Sequence, residues 1–77
     1  MTFNIPETNN IPVKEKQKVL KLTGTYGNAF ALMGTTQAFN RQNKYYTAEQ
    51  MKAIFNECRS KDYNHLLVTL MYFFNVR

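Results

Sequence analysis

The sequence predicts a mainly α fold: a small three-helix domain with one or two short β-strands. Three observations carry this. Residues 47–74 spell two capped amphipathic helices, residues 24–40 form a charge-free apolar stretch, and one β-prone segment lies near residue 20. With 77 residues, the chain makes one domain. A chain this short buries only about 60% of its unfolded surface, so a partner surface often adds stability.

Residues 1–17 read as an extended N-terminal arm, and 18–77 as a single compact helical domain. Pro6 and Pro12 bias Ile5 and Ile11 toward β or polyproline geometry. The two Ile-Pro pairs, with Phe3, could pin the arm to a surface; a frayed terminus is the plainer reading. Residues 13–24 admit two structures. Pro12 suits a first helical turn and Gly24 a helix stop, but Leu20 and Leu22 alternate with Lys21 and Thr23 as on a strand. The strand at 18–23 is favoured. Its only β-prone partner within the chain is 73–77, Phe73-Phe74-Asn75-Val76-Arg77; pairing between chains is the other route.

Gly24-Thr25-Tyr26-Gly27-Asn28 is a turn, and Thr25 or Asn28 can cap the helix expected at 27–42. That helix is apolar around most of its circumference, with only Ala29, Thr36 and Asn40 forming a solvent-tolerant strip, so it should be largely buried. The small residues Gly27, Ala31, Gly34 and Ala38 would let another backbone approach closely. So small a chain can hardly cover such a helix alone, which points to a subunit interface and a homo-oligomer.

A polar connector at 40–45 leads to a helix at 47–60. Thr47 followed by Gln50 is a capping-box pattern, and Tyr46 stands where a hydrophobic staple reaches Met51. Met51, Ile54, Phe55 and Cys58 then recur at i, i+3, i+4, i+7. After Ser60-Lys61-Asp62 a helix at 62–74 is expected. Asp62 is its N-cap, and Tyr63, Leu66, Leu67, Leu70, Met71 and Phe74 share one face. The expected core also takes Leu20, Leu22, Phe30 and Met33.

The chemistry-bearing residues are few: one His, one Cys and five acids. Glu49 and Glu57 fall about two turns apart on what reads as a surface helix, not as a catalytic pair. Cys58 reads as a small buried hydrophobe, and no second ligand accompanies His65 for a metal. No catalytic residue, metal site or cofactor is therefore expected, and an enzyme is disfavoured. The N-terminus shows no secretory pattern and no apolar run is long enough for a membrane span, so a cytoplasmic setting is expected.

The net charge is +5, from ten Lys and Arg against five acids. This charge suits an anionic partner without demanding one. The turn feeding the first long helix offers backbone N–H groups and a positive helix end to an anion. Thr25, Tyr26, Gly27 and Asn28 are the candidate ligand-binding residues there. Lys21 lies just upstream, and Arg41 or His65 could arrive from the same or a neighbouring chain. A capped structural turn is the alternative. No helix concentrates Lys and Arg on one face as a duplex-reading helix does, so sequence-specific DNA binding is disfavoured.

Gly27-Asn28-Ala29-Phe30-x-Leu32-Met33-Gly34, followed by Ser60-Lys61-Asp62-Tyr63-Asn64-His65-Leu66-Leu67, resembles a class of short open reading frames common in phages and prophages. The resemblance covers about residues 19–77. It implies a short strand, three helices and a last valine-containing strand, but no activity. Two departures stand out. Tyr26 replaces an acidic residue often found before the Gly-Asn pair, and Lys61 replaces a glycine often found in the break. Both make the helix starts less acidic. The resemblance implies an accessory, anti-defence role in the cytoplasm of a bacterial host. The leading reading is a non-catalytic homo-oligomer that sequesters an anionic nucleotide-type ligand. An inhibitor docking on a host or phage protein through its arm or exposed aromatics is the second. A nucleic-acid-binding accessory protein is the third.

Overall fold

The computed structural model describes residues 2–22 and 27–77. In chain order its elements are α1 (Pro6–Asn9), β1 (Val19–Leu20), α2 (Ala29–Asn43), α3 (Ala48–Cys58), α4 (Tyr63–Phe73) and β2 (Asn75–Val76). The fold is mainly helical with one two-stranded sheet, as the periodicities require. β1 and β2 pair in parallel, Val19 opposite Asn75 and Leu20 opposite Val76. Parallel strands need a long crossover, and α2, α3 and α4 supply it. The ladder continues past β1 and β2 through Arg77 N–H to the Leu20 carbonyl at 3.1 Å and Leu22 N–H to the Arg77 carbonyl at 3.3 Å.

Each long helix starts where its capping residue dictates. The Asn28 side chain accepts from Ala31 N–H, Thr47 and Gln50 complete a capping box, and Asp62 accepts from His65 N–H. Tyr46 and Met51 are both buried beside the α3 cap, as a staple places them. Lys44 ends α2 with a left-handed backbone, φ 55°.

The arm differs from the expected extended segment. Pro6 at the first helical position fixes a turn of helix, α1, and Phe3, Thr8 and Ile11 are buried with the residues of the main domain. Thr8 Oγ1 donates to the Ala53 carbonyl of α3 at 3.0 Å. Phe3 stacks on Phe73 at 5.5 Å and meets Tyr72 edge-on at 5.1 Å. Farther along, the arm is held by tyrosine hydroxyls: Lys14 N–H donates to Tyr46 and Lys18 N–H to Tyr45.

The burial of α2 also departs from expectation. Its buried residues are Leu32, Met33, Thr36 and Asn40, whereas Phe30 is 83% exposed and Gly34 and Ala38 face solvent. Two of the three residues assigned to a solvent strip are thus inside. Thr36 donates its hydroxyl to the Leu32 carbonyl at 2.7 Å, and Asn40 bonds both the N–H and the carbonyl of Tyr46. A polar side chain whose bonds are all met can be buried at little cost. Met71, placed by periodicity on the core face of α4, is also exposed, and Phe73 takes its place in the interior. Phe55 and Leu67 are half-buried at the margin of the core.

Candidate functional site

The starts of α2 and α4 meet. Gly27 adopts φ +93°, a backbone region that disfavours side chains, and its N–H donates to the Tyr63 hydroxyl at 2.6 Å. Tyr63 opens α4 directly after the Asp62 cap. The two helix starts thereby frame a recess of about 240 Å³ with α3, whose walls include Phe30, Arg59, Lys61, Asp62 and Tyr63. Arg59, Lys61 and Asp62 are exposed, while Met33, Cys58 and Leu66 form a buried floor. Burial first, and the Glu57 charge second, push the Cys58 thiol up to about 12, so the floor carries no thiolate near neutral pH.

Chemically, the recess joins an uncovered aromatic face to two cations. Arg59 also donates to Asn56 Oδ1 at 2.9 Å, which steadies its side chain along α3. The Asp62 carboxylate occupies the anion position at the start of α4 by accepting from His65 N–H at 2.9 Å. Any anion held here is therefore met by the Arg59 and Lys61 side chains more than by the α4 amides.

The expected site residues separate into three groups. Gly27 and Asn28 stand at the start of α2 but do not line the recess; Gly27 bonds the Tyr63 hydroxyl and Asn28 is engaged as the α2 cap. Lys21 is exposed just beyond β1, and Thr25 and Tyr26 lie outside the described residues. Arg41 and His65 are not brought to the recess. Arg41 follows Asn28 by nearly the whole length of α2, about 20 Å at 1.5 Å per residue. The His65 ring turns the other way, with Nε2 2.5 Å from Glu57 Oε2 and Phe3 edge-on at 6.3 Å.

Glu57 is the residue whose setting sequence reasoning missed. Read as a surface acid, it is fully buried. Its carboxylate accepts from Ile5 N–H at 2.6 Å and from the Ser60 hydroxyl at 3.0 Å, besides meeting His65. Burial pushes the carboxyl up. The Ile5 amide, the His65 ring, the Asn4 amide and the Ser60 hydroxyl together outweigh that effect and hold it below the usual carboxylate range. The cluster fastens the arm to α3 and α4. The signal was present in the sequence: Glu57 flanks the apolar stripe, three residues after Ile54 and next to Cys58. Phe30, Arg59, Lys61 and Tyr63 were likewise not assigned to the site, because the break that supplies three of them is distant from the turn in sequence.

Among the described residues, no group of three or more His, Cys, Asp or Glu could hold a metal ion, and no helix is long and apolar enough to cross a membrane. Compared with protein-family models, curated proteins and solved structures, the chain gives no match.

Proposed function

We propose that this chain is a non-catalytic binding protein that takes an anionic, ring-bearing ligand of the nucleotide type at the recess between the starts of α2 and α4. The observation that carries this reading is Phe30, 83% exposed and lining the same recess as Arg59 and Lys61. A large exposed ring beside a recess is a stacking platform, and base–aromatic stacking contributes about 1–3 kcal/mol. Two adjacent cations suit a phosphate through charge-assisted hydrogen bonds. Gly27 and Asn28 stand at the start of the helix that carries Phe30; Thr25 and Tyr26 lie outside the described residues. With the phage-type resemblance, it describes an accessory protein that sequesters a nucleotide-type signal of a bacterial defence system. Isothermal titration with linear and cyclic nucleotides tests it. Phe30→Ala and Lys61→Glu should each weaken binding at least tenfold, on the order of 1.4 kcal/mol, and leave the melting temperature of the free protein unchanged. Wild-type affinity in both variants, or no binding by the wild type, removes the assignment.

The same reading makes the chain a homo-oligomer. The uncovered face of α2 runs Phe30, Gly34, Ala38 and Arg41, with small residues at its centre. A Cβ added at Gly34 meets nothing within 4 Å inside the chain, so Gly34→Leu should split the oligomer while preserving the helical content of each chain. Light scattering at micromolar concentration should give a multiple of the 9.1 kDa chain mass for the wild type; a single-chain mass would sink the idea.

One observation favours a second reading, an inhibitor that docks on another protein. Val68, Met71 and Tyr72 are exposed along α4. With Phe3 and Ile11 of the arm packed down, the exposed residues of α4 carry the docking role in this reading.

A further inference from the structure

At the opposite end of α2, a second recess of about 380 Å³ lies between the last turn of that helix and the first turns of α3. Arg41 and Lys44 come from one wall and Lys52 from the other, over a floor that includes Met51 and Phe55. No carboxylate is among its lining residues. All three cations are exposed, and among the described residues none forms an ion pair. Gln37 adds an exposed amide at the rim. Three positive charges thus share one small basin with an aromatic floor.

We propose that this basin is a second binding site, separate from the Phe30 recess, for a phosphomonoester or free phosphate. The charge count selects the ligand. A single carboxylate would leave two of three converging cations uncompensated, whereas a phosphoryl dianion neutralises most of them and offers three acceptor oxygens. Arg41 supplies a planar fork of donors, and Lys44 and Lys52 supply point charges on flexible stems. The three cationic residues line one basin, which favours a compact phosphate over the backbone of a nucleic-acid strand. The half-buried Phe55 ring gives an ester's organic group an apolar contact. The bland alternative is that Arg41 and Lys44 merely offset the negative C-terminal end of α2. Lys52 is not explained by that, since it stands in the second turn of α3.

Nitrogen–proton NMR titration of the full chain distinguishes these readings and the ligand's source. The probes are inorganic phosphate, phenyl phosphate and a twelve-residue oligothymidylate. Saturable shifts centred on Arg41, Lys44 and Lys52 with inorganic phosphate support the site, and at least tenfold tighter binding of phenyl phosphate assigns it to esters. The double variant Arg41→Gln, Lys52→Gln should bind at least tenfold more weakly with an unchanged melt, because both side chains are exposed. Lys44→Gly removes the third cation at a left-handed backbone position that glycine adopts readily, and should weaken binding without unfolding α2. Phe30→Ala should leave this binding intact, so the two recesses succeed or fail separately. Phosphate affinity unaltered in the double variant, absence of saturable binding, or binding of the oligonucleotide alone would overturn the proposal.

Discussion

Glu57→Ala should destabilise the protein by about 3 kcal/mol and release the N-terminal arm. The carboxylate is the shared acceptor for Ile5 N–H, the Ser60 hydroxyl and the His65 ring. Truncation removes the buried carboxylate that these part-buried groups share, and breaking such a cluster from one side costs far more than the cluster's net worth. Hydrogen exchange at Ile5 N–H should accelerate in step with the loss of stability. An unchanged melt together with wild-type exchange at Ile5 would show that the cluster holds nothing in place.

The same group sets an acid limit. Its folded-state carboxyl lies below the ordinary value of 4.5, so the stabilisation is fully present above that value. It is lost as pH falls below 4.5 and through the folded-state value, because protonation removes the charge that the donors favour. Melting temperatures followed from pH 7 to pH 3 should therefore drop in that acid window. In Glu57→Gln, which keeps one acceptor oxygen and cannot titrate, this component of the drop should vanish. An identical acid profile in the variant would assign the acid sensitivity to other groups.

Phe73→Ala should cost about 3–5 kcal/mol. Phe73 is fully buried, with Phe3 stacked on it at 5.5 Å, Tyr72 edge-on at 5.0 Å and Tyr46 edge-on at 5.8 Å. Its backbone carbonyl accepts from the Tyr46 hydroxyl and from the Gln17 side chain, both at 2.6 Å. It therefore joins the arm, the α2–α3 connector and the end of α4. A domain of this size has roughly 4–12 kcal/mol of total stability, so the variant should lose a large share of it and melt well below the wild type. Circular dichroism melts read this directly. A cooperative melt within a few degrees of the wild type would contradict the packing described. Met71→Ala, on the exposed side of the same helix, is the control and should change little.

Helix boundaries were legible because they are local. Asn28, Thr47 and Asp62 cap α2, α3 and α4 with side-chain oxygens that accept from an N–H three residues on, and such bonds can be read from spacing alone. The strand near residue 20 and its partner at the C-terminus were legible for a related reason: each is β-prone, and neither could be satisfied by itself. Which face of α2 turns inward was not legible. Hydrophobicity placed Phe30 inside and left Thr36 and Asn40 outside, and the structure reverses all three. Asn40 is buried because Tyr46, after the helix has ended, offers both a donor and an acceptor at the right place. The same limit hid the buried Glu57, whose partners lie on the arm and α4, up to 52 residues away. It also hid that Phe30, Arg59 and Lys61, from α2 and from the α3–α4 break, line one recess. The sequence by itself determined where the three long helices start and near which residues the strands fall, since capping and periodicity act within a few residues. Only the tertiary structure decided which polar groups are buried and which aromatic ring is left in water, since both depend on partners that folding alone brings within hydrogen-bonding and packing distance.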